Sequence, residues 1–227
     1  MPKLDHPSPR SAAPPEPSAG ITPLLPLLLF ETMRDMDRPE EVLEGEDLSV
    51  SLPRRFGLND VVFTQIHRFR EEVRRKRAQS EAEIENLLRL VIRRPDAEEI
   101  FEEAGRRVAR RAWEERSPAL RRMVRLLPPG MAHRSAMRAV QRLLRKIVGN
   151  GKLQVVGRQG VVRITGSLTA RADPGGAACI LYTGVIAGTL EQYTVGVQRP
   201  EHAVCEGRGG ELCEWMIPAR EPVAGKE

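Results

Sequence analysis

The sequence predicts an α+β protein in which N-terminal helices precede a twisted antiparallel sheet of two hairpins with an intervening helix. Three observations carry this. Apolar residues recur at helical spacing from about residue 59 to 148. After "GNG" (Gly149–Gly151) the pattern changes to short β-branched runs with turn residues between them. A glycine-bearing helix and a second pair of short strands complete the order helices, hairpin, helix, hairpin. The 227 residues are 41% hydrophobic, enough for a core, and with only 4% aromatics that core is mostly Leu, Val, Ile and Ala. A chain of this length fits one domain with tails, here 58–218 flanked by segments 1–57 and 219–227.

The elements follow in order. Residues 1 to about 20 are rich in Pro, Ser and Ala and are expected to be disordered. "ITPLLPLLLF" (Ile21–Phe30) is too short and too broken by Pro23 and Pro26 to span a bilayer, which takes roughly 20 apolar residues. It lacks signal-peptide flanks, and it reads as a segment that packs on its own domain. Residues 31–57 read as a linker. A helix starts near Asn59 or Asp60, and Val62, Ile66, Phe69 and Val73 share one face of it. "SEAE" (Ser80–Glu83) is a capping box before Ile84, Leu87, Leu88 and Val91. Pro95 ends that run, and Asp96 is placed to cap a helix carrying Ile100, Phe101, Ala104 and Val108 inward. Gly105 permits another backbone to approach it closely. "LLPPGM" (Leu126–Met131) is a break before a helix from about Ala132 to Val148. Lys152–Ala170 reads as a hairpin turning at "GRQG", and "DPGG" (Asp173–Gly176) as a turn. Ala177–Tyr193 is a helix with Gly184, Ala187 and Gly188 on a tightly packed side. "VGVQRPEHAVC" and "ELCEWMI" are strands around the turn "EGRGG".

The net charge is +5 and almost all of the cations are arginine, a skew that fits a GC-rich coding sequence. The arginine-rich helices at 106–145 carry interspersed glutamates and few base-stacking aromatics, so they read as solvated faces and not as a nucleic-acid interface. With no spanning segment and no signal peptide, the expected location is the cytoplasm.

All three cysteines fall in one C-terminal segment: Cys179, Cys205 and Cys213. In a reducing compartment, clustered thiols favour metal or catalysis over a disulfide. Cys205 and Cys213 flank the glycine-rich turn of the second hairpin, and Cys179 opens the helix packed on the same sheet. Zinc takes about four thiolate, imidazole or carboxylate ligands, so a fourth is sought in Glu201 or His202. Strand alternation places Glu201 on the face of Cys205 and His202 off it, unless Pro200 marks a bend. The competing reading is three small thiols packed in a core. A redox pair is disfavoured, since no Cys-x-x-Cys is present. His67 and His133 are available as bases for a cysteine nucleophile, but nothing in the sequence places them.

"CILYTGVIAGTLEQY", "EHAVC" and "EGRGGELCEW" resemble the four-vinyl-reductase domain family. That family includes the bacteriochlorophyll 4-vinyl reductase and the sensor domains of aromatic-responsive activators, and is distantly related to TRAPP vesicle-tethering subunits. The resemblance implies a TRAPP-like fold, a homodimer and a structural zinc on Cys179, Cys205 and Cys213. The fourth position departs, with His202 where the family has Glu. "RLLPPGMAHRSAMRAVQRLLRKIVGNGKLQVV" (Arg125–Val156) is similar to the bacteriochlorophyll branch, although Leu144, Arg145 and Ile147 stand where aromatics are common. This implies a tetrapyrrole or other hydrophobic ligand and, as partners, bacteriochlorophyll-pathway enzymes or photosynthetic complexes. A reductase would usually show a dinucleotide-binding turn, and neither "GNGKLQ" nor "GRGGEL" is one. The expectation is therefore a zinc-braced binder accessory to bacteriochlorophyll biosynthesis, the alternative being a sensor for an aromatic or lipid-like effector. Trp113, Tyr182, Ile186 and Tyr193 are the candidate ligand wall, with His133 a candidate ligand to a tetrapyrrole metal; each is also a residue that ordinary packing would explain.

Overall fold

In a computed structural model, residues 20–37, 59–193 and 199–218 are described. The expected tail 1–19, most of the linker, the stretch 194–198 ("TVGVQ") and the tail 219–227 lie outside the described residues. Among the described residues, eight α-helices precede or interleave four strands: α1 Leu24–Met36, α2 Asn59–Arg74, α3 Glu81–Val91, α4 Ala97–Glu114, α5 Pro118–Arg125, α6 Pro129–Leu144, β1 Lys152–Val156, β2 Val161–Thr165, α7 Leu168–Ala172, α8 Ile180–Tyr193, β3 Glu201–Val204 and β4 Cys213–Met216. The strands form one antiparallel sheet in the order β1-β2-β4-β3, so the α+β class holds.

α8 is the axis of the fold. Residues Leu181 through Leu190 are all buried, as expected of a helix that is apolar all round. α4 packs on it most extensively, α6 also packs against it, and the sheet's inner face supplies Trp215, whose indole N–H donates to Thr183 Oγ1 at 2.8 Å. The α4–α8 crossing needs glycine on both sides. A Cβ at Gly105 would meet the Val185 amide nitrogen at 2.8 Å, and one at Gly184 would meet the Glu102 carbonyl carbon at 3.0 Å. Both contacts are to backbone, which cannot swing aside as a side chain can.

Three elements differ from the sequence expectation. Glu31–Met36, read as linker, continues α1, which therefore extends the folded unit to the N-terminal side of residue 58. Pro23 precedes that helix and Pro26 sits in its first turn, where a missing N–H costs nothing. The segment is pinned by a two-way backbone pair between Ile21 and Gln79 and by stacking of Phe30 on Phe69, with centroids 5.9 Å apart. Asp96 does not cap α4 with its side chain, because its carboxylate is taken by Arg94 at 2.8 Å. The stretch after β2 is not strand. Ser167 accepts from Ala170 N and starts the short α7. The Ser80 cap on Glu83 N is as expected.

Candidate metal centre

The three thiols converge because two loops are locked together. Asp173, itself buried, accepts from Gly175 N at 2.8 Å and Ala178 N at 2.9 Å. That closes the turn before Cys179, which ends a single 3-10 turn leading into α8. Gly176 has φ +80°, and a Cβ there would meet Cys205 Sγ at 2.7 Å, so only glycine fits between the turn and the second hairpin. From the hairpin side, the Glu206 carboxylate accepts from Gly166 N at 3.1 Å and Ser167 N at 2.9 Å. Gly210 N donates to Cys205 O at 2.9 Å, closing the loop that carries Cys205 and Cys213.

Sγ of Cys179 lies 3.8 Å from Cys213 and 3.9 Å from Cys205, and all three sulfurs lie within 4.8 Å of one another. No disulfide links them. Zinc–sulfur bonds of about 2.3 Å set at the tetrahedral angle give sulfur–sulfur edges of about 3.8 Å. The two spacings from Cys179 match those edges, and the third sulfur–sulfur distance is within 4.8 Å. All three residues are buried, so the sulfurs are screened from bulk water. The surroundings favour a thiolate at Cys213. The Cys213 thiol is held below its ordinary pKa by its hydrogen bond from Cys179, against burial, with His202 and the Glu206 N–H (3.3 Å) assisting. Its tightly coupled neighbour Cys179 is pushed up by that same hydrogen bond and by burial, while Thr169 Oγ1 at 3.2 Å opposes the rise. A cation bound between the sulfurs would favour their thiolate form.

A bulge decides which of Glu201 and His202 faces this centre. His202 pairs with Trp215, and Val204 pairs with Glu214, so β3 carries one residue more than β4 between those pairs. The extra residue reverses the alternation. Glu201, opposite the exposed Met216, points outward, whereas His202 shares the inner face with Trp215 and Cys213. The His202 ring stacks on Trp215 with centroids 4.4 Å apart and planes 6° apart, and its buried Nε2 has no hydrogen-bond partner among the described residues. His202 is nevertheless outside the mutually close group formed by the three sulfurs.

Of the candidate ligand wall, the structure brings two residues together. Trp113 and Tyr193 meet edge to face at 4.9 Å and line a half-open cavity of about 240 Å³ with Ala109, Leu143 and Thr189. Arg116 lies over the Tyr193 ring at 5.4 Å, and Arg142 and Lys146 are also on the rim. The Tyr193 hydroxyl is buried and has no hydrogen-bond partner among the described residues. Tyr182 and Ile186 line neither this cavity nor the smaller one beside His202, and both are fully buried, with Tyr182 edge-on to Trp215. Burial pushes the Tyr182 phenol well up. His133 Nε2 lies 3.3 Å from the Gly157 carbonyl, tying α6 to the first hairpin, and His67 is exposed on α2. Sequence reasoning missed Asp173 and Glu206, the two carboxylates that set the thiol loops. The "DPGG" turn and the Glu directly after Cys205 were their only local signals.

No protein-family model, curated protein or solved structure matches the chain.

Proposed function

We propose that the protein is a zinc-braced module that binds a small hydrophobic ring compound. Zinc on Cys179, Cys205 and Cys213, with His202 as the fourth ligand after a movement of its ring, would clamp the second hairpin to the start of α8. A site with four protein ligands is structural, not catalytic. The ligand is assigned to the Trp113–Tyr193 cavity. The observation that carries this is the Tyr193 hydroxyl on an aromatic wall, a polar anchor without a partner among the described residues. The metal centre and the cavity lie at opposite ends of the 14-residue α8, about 20 Å apart at 1.5 Å per residue. The metal therefore braces the fold at a distance and cannot touch a ligand in that cavity.

Cavity size bears on the ligand class. At about 240 Å³ it falls below the roughly 300–1,000 Å³ of drug-sized ligand sites. A single aromatic ring fits, and a whole tetrapyrrole does not. That favours the effector-sensor reading over a bacteriochlorophyll-accessory role, which rests on the resemblance in Arg125–Val156.

The test is a fluorescence titration with a one-ring phenol and, separately, with a chlorophyllide. Saturable quenching by the phenol that is lost in Trp113→Phe and weakened in Tyr193→Phe is expected. A chlorophyllide absorbance shift unaffected by either substitution, with no phenol response, would overturn the assignment and return the tetrapyrrole reading to the front.

A further inference from the structure

The charges of this protein are segregated. On α2 to α4 the arginines are mostly held in ion pairs: Arg68 with Glu83, Arg89 with Glu85, Arg94 with Asp37 and Asp96, Arg107 with Asp35 and Glu103. The interspersed glutamates end at Glu115. From Arg116 to Ala172 the sequence holds eleven Arg and two Lys and no Asp or Glu. Arg122, Arg125, Arg134, Arg138 and Arg145 of this stretch are exposed, and none is in an ion pair among the described residues.

The α5–α6 corner concentrates this charge beside exposed apolar side chains. Ser117 caps α5 through Leu120 N, with Pro118 in the first turn, and α5 buries only Val124. Its Met123 is 56% exposed, Leu126 after it 84% and Met131 in the first turn of α6 55%. On α6 the residues 131, 134, 138, 142 and 145 advance by three or four, which aligns them on one stripe. All five are exposed, while Ala132, Ala136, Met137, Val140 and Leu144 face inward. The stripe thus runs from a Met into four arginines.

We infer that this corner binds the surface of an anionic lipid bilayer, with Met123, Leu126 and Met131 entering the interface and the α6 arginines meeting the headgroups. Exposed apolar side chains at one end of an unpaired basic stripe match a bilayer's layering of charge over hydrocarbon. A nucleic acid would find cations here but no aromatic side chain on which bases could stack. No helix of the described residues is long and apolar enough to cross a membrane, so contact would be peripheral. The inference is independent of the metal centre and shares only Arg142 with the cavity rim.

The experiment is co-sedimentation of the full chain with phosphatidylcholine vesicles, with and without phosphatidylglycerol. Binding only to the anionic vesicles, weakening with salt, is expected. An Arg134→Gln/Arg138→Gln variant should lose about fivefold in affinity per charge removed, and Leu126→Ser should weaken binding at unchanged salt dependence. All three positions are exposed, so the melting temperatures should stay at the wild-type value. The paired Arg89, changed to Gln, should bind as wild type. Equal binding to neutral vesicles, no binding to either, or an unchanged affinity in the double arginine variant would overturn the inference. So would tight binding of duplex DNA that anionic vesicles fail to displace.

Discussion

Tyr193→Phe should stabilise the unliganded protein while weakening its ligand affinity. The ring is 7% exposed and packs on Trp113 and under Arg116, contacts that Phe retains. What Phe removes is a buried hydroxyl with no hydrogen bond among the described residues. Such a group carries a desolvation cost of about 1–3 kcal/mol that folding does not recover. Burial also keeps the phenol above its ordinary pKa, so it is neutral at pH 7 and no charge is lost in the exchange. A gain of about 1 kcal/mol raises the melting temperature of a domain this size by about 2–4 °C. A ligand that bonds to the hydroxyl should lose about 2- to 10-fold in affinity, the worth of one hydrogen bond. Differential scanning calorimetry and the phenol titration read the two effects. A melting temperature that falls by several degrees would show that the hydroxyl already has a partner and would refute the reasoning.

Two further outcomes follow from the packing and the charges. Gly184→Ala drives a Cβ onto the Glu102 backbone, so α4 and α8 must separate; a loss of about 1–3 kcal/mol or more is expected in urea unfolding, with helix content retained. Asp35 titrates below its ordinary value: burial raises it, but hydrogen bonds from Arg107 and Arg34 outweigh that. A depressed folded pKa adds stability above the ordinary value of 3.8, and this is lost as pH falls through the folded pKa. For so partly exposed a pair the amount is about 1 kcal/mol or less, and Arg107→Ala should flatten the acid limb of a stability–pH curve by that much.

Helical periodicity located α2, α3 and α4, because each buries one apolar stripe that repeats at the helix period. The close α4–α8 approach was legible in Gly105 and Gly184, since glycines inside a helix have few other uses. α1 was not legible. Its leucines are nearly consecutive and it is buried almost all round, so no periodicity marks it, and Pro23 and Pro26 look like breaks when they stand before the helix and in its first turn. α5 had a signal, the Ser117–Pro118 start, that its short length hid. The convergence of the three cysteines was readable from their positions around one turn and at one helix start. Which side chain faces them was not, because a one-residue bulge between His202 and Val204 inverts strand parity and leaves no mark in composition. The wall residues divided for a similar reason. Tyr182 and Ile186 lie in the part of α8 that is sealed on every side, while Tyr193 ends the helix, where the surrounding layer opens.

The most direct test of the account is the metal content of protein purified without added zinc, measured together with its melting temperature before and after chelation. Close to one zinc per chain is expected. So are a fall in melting temperature on removal, loss of the metal in Cys213→Ser, and weakened binding in His202→Ala but not Glu201→Ala. A metal-free protein that melts at the same temperature with and without zinc would show that Cys179, Cys205 and Cys213 are buried thiols and would contradict the metal centre.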